Sequence, residues 1–383
     1  MTWPGFLFSW NRSSNTGNGV GFFRGMGWVV IYKYINVLYF GYILRYKDCQ
    51  VNIYKNINNN TRQYAKTLYS NGMNTPENPQ KKLVLIDGNA LMHRAYHGMN
   101  RGFTPALSDG TPVGMVYGFC STVLWLLPLF RPDHFVVTFD TKEKTFRHDA
   151  DENYKAQRTK APDDFYPQVP HIERFLDAMN VPILKAPGYE SDDIIGTLVT
   201  RAQAMNFESK IISADMDFLQ LCDASTTLVK PQGQGDPVVY THETVTEKYG
   251  VTVEQFVDYK AIMGDASDNY KGVAGIGPKG AQKLIAEFGS IDNIYKNIDQ
   301  IPEKIQQKLM TDKEYLLHCQ YLAAIHCDVP IDHDITQNYH IHHAAPEDFF
   351  VNMRFSALHR RWKKLLLAWD APVIPEAEQG SLF

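Results

Sequence analysis

Five tight groups of carboxylates punctuate the middle of this 383-residue chain, several of them directly after an apolar, strand-like run. They are Asp87 after LVLI, Asp140 after FVVTF, Glu190, Asp192 and Asp193 in GYESDD, Asp215 and Asp217 in IISADMD, and Asp265 and Asp268 in GDASDN. A single acid at a strand end is ordinarily a turn former or helix cap. Caps need not recur at every strand end, so five groups call for another cause. Carboxylates gathered at close range cannot all stay ionised without a cationic partner. Hard divalent ions such as Mg²⁺ or Mn²⁺ suit an all-oxygen site. The pattern points to metal-ion chemistry on phosphate.

From residue 82 onward, short β-branched runs (LVLID, FVVTFD, VPIL, KIISAD) alternate with helical stretches at 113–127, 164–179 and 191–205. Such alternation predicts an α/β fold with a mostly parallel central sheet flanked by helices. Ligands of such sheets bind beyond the carboxyl ends of the strands, where Asp87, Asp140 and Asp215 stand. GYESDD opens a helix, with Glu190 and Asp193 roughly on one face and Asp192 to the side. Acids in a first turn also offset the helix dipole, so capping is the competing role there.

After residue 249 the chain turns helical, at 253–263, 279–288, 301–310 and 313–326. Between the first two lies GDASDNYKGVAGIGPKGA, where Gly272, Gly275 and Gly277 allow a tight hairpin and Pro278 suits a first helical turn. Helix-start N–H groups beside Lys279 can hold a phosphate without reading sequence. A third constellation, FRHDADENYKAQRTKAP at 146–162, carries Arg147, Lys155, Arg158 and Lys160 with Tyr154 interleaved. Most such runs are solvated charged faces. If the segment is helical, Arg147, Lys155 and Arg158 recur on one face and would draw a phosphodiester toward the acids.

Net charge of −4 by itself speaks against a nucleic-acid partner, but about nine of the 42 acids would face metal rather than solvent. The five cysteines (Cys49, Cys120, Cys222, Cys319, Cys327) have no CxxC spacing, which favours reduced thiols over disulfides or zinc. Residues 1–80 stand apart, rich in aromatics and Asn, with residues 28–44 apolar save Lys33 and Asn36. A membrane anchor is one reading, yet a span needs roughly 20 apolar residues. The other reading, favoured by the linker-like NINNNTRQ, is a non-native or disordered leader, with the working protein beginning near Met73. No membrane partner is expected.

LVLIDGNALMHRAYHG, FVVTFDTKEKTFRHDADENYKAQR, GYESDDIIGTLV, SADMDFLQL, IMGDASDN and GVAGIGPKGAQKL together resemble the 5′→3′ exonuclease domain of bacterial DNA polymerase I, within the flap endonuclease family. The resemblance covers about residues 81–370 and implies a PIN-like α/β nuclease core at 81–250. A helical DNA-binding subdomain with a helix–three-turn–helix element would follow at 251–370. It implies a freestanding, cytoplasmic nuclease that removes 5′ flaps and RNA primers from duplex DNA with two Mg²⁺ or Mn²⁺ ions. The implied first metal site is Asp87, Asp140, Glu190 and Asp192, with Asp193 close by; the second is Asp215, Asp217, Asp265 and Asp268. Arg147, Lys155 and Arg158 match a basic gateway that contacts the scissile phosphate, and Tyr96 an aromatic position where a terminal base stacks. Gly275, Gly277 and Lys279 match the duplex-holding hairpin, which in this family carries a K⁺ ion on backbone carbonyls.

The prolines and glutamates of residues 371–383 predict an extended tail; it ends in QGSLF, which resembles the peptide that bacterial proteins insert into the sliding clamp through Gln379, Leu382 and Phe383. Two rival readings stand beside this one. A PIN-type ribonuclease shares the acidic edge but has no need of the glycine hairpin. A non-catalytic DNA-junction binder needs the hairpin but not nine carboxylates.

Overall fold

The computed structural model describes residues 80–99, 105–232 and 236–369, and the backbone of five strands between residues 7 and 55. The chain divides into two compact units, Met1–Pro79 and Gln80–Phe383. In the first, β1 (Leu7–Arg12), β2 (Gly19–Gly25), β3 (Trp28–Ile35), β4 (Leu38–Lys47) and β5 (Gln50–Lys55) form an antiparallel meander in chain order. The apolar run at 28–44 lies on β3 and β4. Among the described residues, no helix is long and apolar enough to cross a membrane.

The second unit is built on a six-stranded mixed sheet: β6 (Lys82–Asp87), β7 (His134–Thr138), β8 (Ile183–Leu184), β9 (Glu208–Ile212), β10 (Thr226–Lys230) and β11 (Val238–Tyr240). Strand order is β11-β10-β9-β6-β7-β8, and every pair is parallel except β10 with β11. β6 and β7 are nearly continuous apolar runs because both faces of the sheet are covered. Alternate residues divide between the two faces. Leu83 and Leu85 join one core cluster with Ile211 and Leu228, while Val84 and Ile86 join a second with Val137, Ile212 and Val229. Register pairs Asp87 with Thr138 and Ile86 with Ile212, so the chain leaves all three central strands at one edge.

Helices α1 (Gly88–Met99), α2 (Gly114–Phe130), α3 (Phe146–Ala150), α4 (Val169–Ala178) and α5 (Ser191–Ala204) follow within this α/β half. α1 begins immediately after Asp87, with no loop between strand and helix. The basic segment is not one helix. α3 ends at Ala150, and Lys155 sits in a turn with φ 56°, so Arg147, Lys155 and Arg158 do not share a helical face.

α6 (His242–Tyr249), α7 (Phe256–Met263), α8 (Pro278–Phe288), α9 (Ile291–Lys296), α10 (Glu303–Thr311) and α11 (Lys313–Ala323) form the helical half against the first cluster. Two glycines make the α7–α8 connection possible. Gly264 and Gly272 have φ of 80° and 62°, and a Cβ on Gly272 would stand 2.4 Å from the Ile262 carbonyl oxygen. α12 (Glu347–Asn352) and α13 (Ser356–Trp369) do not stay with these helices. Phe350, Leu358 and fully buried Trp362 join the second cluster, over α2 and α4, and Trp362 Nε1 donates to Glu347 Oε1 at 2.9 Å. A helical subdomain drawn from sequence to residue 370 thus takes in two helices that pack on the opposite face of the sheet.

Candidate metal and nucleic-acid site

The exits of β6, β7 and β9 bring Asp87, Asp140 and Asp215 to one edge, as the alternation predicts. Asp87 is the last residue of β6 and is buried; it accepts from the Ala90 amide at 3.0 Å and from Ser213 Oγ at 2.7 Å. Asp140, two residues beyond β7, accepts from the Ser191 amide at 2.7 Å and from Asn89 Nδ2. Ser213 also ties Asp215 to this group, donor and acceptor meeting at 3.0 Å between the Asp215 amide and Ser213 Oγ. Burial, aided by repulsion from Asp140 and Asp215, pushes the Asp87 carboxyl up to about 6. Asp192 is held well above the carboxylate range by burial and by the charges of Asp87 and Asp215. Burial is the larger cause of both shifts, and repulsion among the neighbouring carboxylates adds to it.

Glu190 and Asp193 have other duties. Asp193 is fully buried and takes four donors: Arg147 Nη2 at 2.7 Å and the His326 amide at 2.9 Å on Oδ1, Arg147 Nη1 at 2.8 Å and the Glu190 amide at 3.0 Å on Oδ2. With both oxygens saturated it has no lone pair to offer an ion, which corrects its place beside the first metal site. Arg147 is corrected with it. At 2% exposure it bonds Asp193, Glu190 and the carbonyls of Leu322 and Ala324, and so cannot reach a phosphate. Tyr96 is likewise buried on α1, its hydroxyl on Asp164 Oδ1 at 2.6 Å and its ring 5.3 Å from Phe165, so no face is open to a base.

Lys155 Nζ meets Glu190 Oε1 at 2.7 Å, and half-exposed Arg158 meets Asp268 Oδ1 at 2.8 Å. Tyr154 Oη lies 3.1 Å from both Glu190 Oε2 and Asp268 Oδ2, so the Asp268 carboxylate is linked to Glu190, while its amide donates to Asp265 Oδ1 at 3.4 Å. Asp217 and Asp265 converge instead on Lys260, a residue the sequence reading passed over. Its Nζ contacts Asp217 Oδ1 at 2.6 Å and also Asp265 Oδ2. Burial raises the Asp217 carboxyl to about 7 against the pull of Lys260. Asp265 is also pushed upward by burial, but Lys260 and Ser267 outweigh this and bring it down to about 2. The spacing of Lys260 five residues from Asp265, on a helix whose other charged residue is Asp258, was a local signal for that contact; the contact with Asp217 had none.

At the hairpin, Gly277 precedes α8 with open space where a Cβ would stand, and Lys279 is exposed in the first turn. First-turn N–H groups have no intrahelical partner. Gly272, by contrast, is buried against backbone and serves the turn itself. Gly275, with φ 72°, offers its carbonyl to Lys308 Nζ at 2.9 Å. Gln379, Leu382 and Phe383 lie outside the described residues.

Among the described residues, no three His, Cys, Asp or Glu side chains stand arranged around a single point as a finished metal site. The donor set still suits a hard cation, being all oxygen, and the raised Asp87 and Asp192 carboxyls are the groups that a cation would relieve.

A family model described as 5′-3′ exonuclease, N-terminal resolvase-like domain, matches residues 82–250, and the 5′-3′ exonuclease, C-terminal SAM fold, matches residues 251–347. DNA polymerase I of Caldicellulosiruptor bescii is 40% identical over 254 residues, covering 66% of this chain and 30% of that protein. DNA polymerase I of Bacillus subtilis is 40% identical over 257 residues, covering 66% and 29%. The chain thus spans under a third of the length of these relatives. A structure of bacteriophage T5 5′-exonuclease with zinc bound aligns with TM-score 0.54 at 24% identity, covering 75% of this chain and 99% of that one. The catalytic core of Rad2 in complex with DNA substrate aligns at 0.50 and 17%, covering 75% and 92%. These two likenesses show the fold. With both consecutive domain models matched, the chain belongs to the 5′-3′ exonuclease family.

Proposed function

We propose that this protein is a divalent-metal-dependent 5′→3′ exonuclease and 5′-flap endonuclease that hydrolyses phosphodiester bonds of DNA, and of RNA primers on DNA, in replication and repair. The observation that carries the reading is the meeting of Asp87, Asp192 and Asp215 at one sheet edge with two carboxyls displaced upward by burial and mutual charge. Asp87, Asp140, Asp192 and Asp215 would hold a first Mg²⁺ or Mn²⁺, with Glu190 behind them, and Asp217 and Asp265 a second. When bound, such ions supply an activated water and a counter-charge for the leaving 3′ oxygen.

The chain's own residues do the rest. Glu190 anchors Lys155 at 2.7 Å, which places an ammonium beside the acidic edge where a phosphodiester would lie. Arg158, half exposed on Asp268, adds a second cation on the same side. The α8 N-terminus with Gly275, Gly277 and Lys279 would grip the duplex backbone, in a manner that depends on shape rather than sequence. A K⁺ ion on nearby hairpin carbonyls belongs to this reading, as do cytoplasmic location and a sliding-clamp partner for QGSLF. Two neighbours support it in kind: T5 5′-exonuclease is described with divalent metal ions and Rad2 with DNA substrate.

The test is a comparison of a 5′-flap, a nick and single-stranded RNA as substrates, each with Mg²⁺, Mn²⁺ or EDTA. Flap cleavage that EDTA abolishes is expected. Cleavage confined to single-stranded RNA would assign the acidic edge to a ribonuclease instead.

A further inference from the structure

Lys260 occupies a place that charge alone makes conspicuous. It lies in the last turn of α7 among buried Phe256, Tyr259, Ala261 and Ile262, and is itself only 9% exposed. An ammonium buried in such company is strongly unfavourable unless paired. It is paired twice, with Asp217 Oδ1 at 2.6 Å and with Asp265 Oδ2. Its own carbonyl accepts the Gly264 amide at 2.8 Å and closes the helix, so the backbone behind the side chain is fixed while the four-carbon stem can rotate. Asp215 is drawn into the same group, its Oδ1 accepting the Asp217 amide at 2.9 Å.

We propose that Lys260 is a resident counter-cation of the second carboxylate group, which a divalent ion must displace to bind there, so that Lys260 sets the weak affinity of that position. The inference rests on the reading of the acidic edge as a metal site. With the ammonium in place, the charge that Asp217 and Asp265 present to an entering ion is halved, and the ion would also meet a like charge a few ångströms away. With the ammonium swung aside, both carboxylates are free to bind. In the first group, Lys155 rests on Glu190 and, among the described residues, no lysine or arginine pairs with Asp87 or Asp192 themselves, so that group fills first. Lys260 is a positioning residue in this account. It touches neither substrate nor reacting atoms, and holds Asp217 and Asp265 together until metal arrives.

The experiment titrates Mn²⁺ into the metal-stripped full chain, read by electron paramagnetic resonance and calorimetry, for wild type, Lys260→Met and Lys260→Arg. Wild type should bind one ion tightly and a second weakly. Lys260→Met should bind the second at least about tenfold more tightly, since removing a like charge at contact range is worth more than the ~1.4 kcal/mol of a tenfold change even at an effective dielectric of about 20. Lys260→Arg should retain the weak second site. In EDTA the Met variant should melt lower than wild type and gain more from Mn²⁺. Lys260→Gln, which keeps an N–H for one carboxylate, carries the same expectation should the Met variant not fold. Equal second-ion affinities in wild type and the neutral variants would overturn the role of Lys260 and leave the metal site standing. A wild type that binds no Mn²⁺ at all would overturn both.

Discussion

Arg147 grips Asp193 with both terminal guanidinium nitrogens, at 2.7 and 2.8 Å, and neither side chain reaches solvent beyond 3%. This pair ties the start of α3 to the start of α5, and through the carbonyls of Leu322 and Ala324 it reaches the end of α11. Arg147→Ala should therefore destabilise the protein by roughly 3–5 kcal/mol, because it strands a buried carboxylate. Urea unfolding measures this. A variant of wild-type stability that binds substrate poorly would instead restore Arg147 to the phosphate.

With Arg147 spent on Asp193, Lys155 and Arg158 are the cations of this segment left to serve chemistry, and Lys155 is the more deeply set. Its backbone is pinned in the left-handed region and its ammonium rests on Glu190. Lys155→Ala should lower the single-turnover cleavage rate by about a hundredfold while changing DNA affinity far less, since a charge aimed at the reacting group acts most in the transition state. An unchanged rate would remove Lys155 from the mechanism.

How much of this was legible in the sequence depends on what each residue touches. Asp87, Asp140 and Asp215 were readable because each follows a run of β-branched residues, and a parallel sheet sends such exits to one edge. β10 and β11 were not foreseen, since TTLVK and VVY are too short to show a period. Arg147 and Asp193 looked functional by type and position, and only the packing of α3 against α5 and α11 reveals that they satisfy one another. Tyr96 was misplaced because the absence of a loop after Asp87 sets α1 directly on the sheet and turns that ring inward. Lys260 was hidden by distance. Asp217 is 43 residues away from it, and no local pattern links an α7 lysine to a turn after β9.

The raised carboxyls give a pH dependence with a definite sign. Asp87 near 6 and Asp217 near 7 hold protons in the fold that an unfolded chain releases near 3.8. Their contribution to stability is therefore complete below about 4 and is lost as pH rises through 6 to 7. The melting temperature in EDTA should fall across that window. Stabilisation by added Mg²⁺ should grow across it, because the ion binds the deprotonated groups. Asp265, near 2, acts oppositely and matters only when pH drops below about 4. A metal-free melting curve that rises from pH 5 to 8 would contradict the charge crowding at this edge, and Asp87→Asn should flatten the fall.

The C-terminal motif makes a separable prediction. Removing the last five residues, Gln379 to Phe383, should abolish binding to a bacterial sliding clamp and leave flap cleavage unchanged. Clamp binding that survives the deletion would show that QGSLF is not the contact.

The central claim is that the carboxylates at the β6, β7 and β9 exits hold the ions that drive cleavage. The direct measurement is the single-turnover rate of 5′-flap cleavage in saturating Mg²⁺ for wild type, Asp87→Ala and Asp215→Ala, alongside flap affinity measured in Ca²⁺. Both variants should lose at least about three orders of magnitude in rate, in keeping with the several kcal/mol that metal ions supply to such steps, with affinity changed only a few-fold. Cleavage by either variant at the wild-type rate would contradict the account.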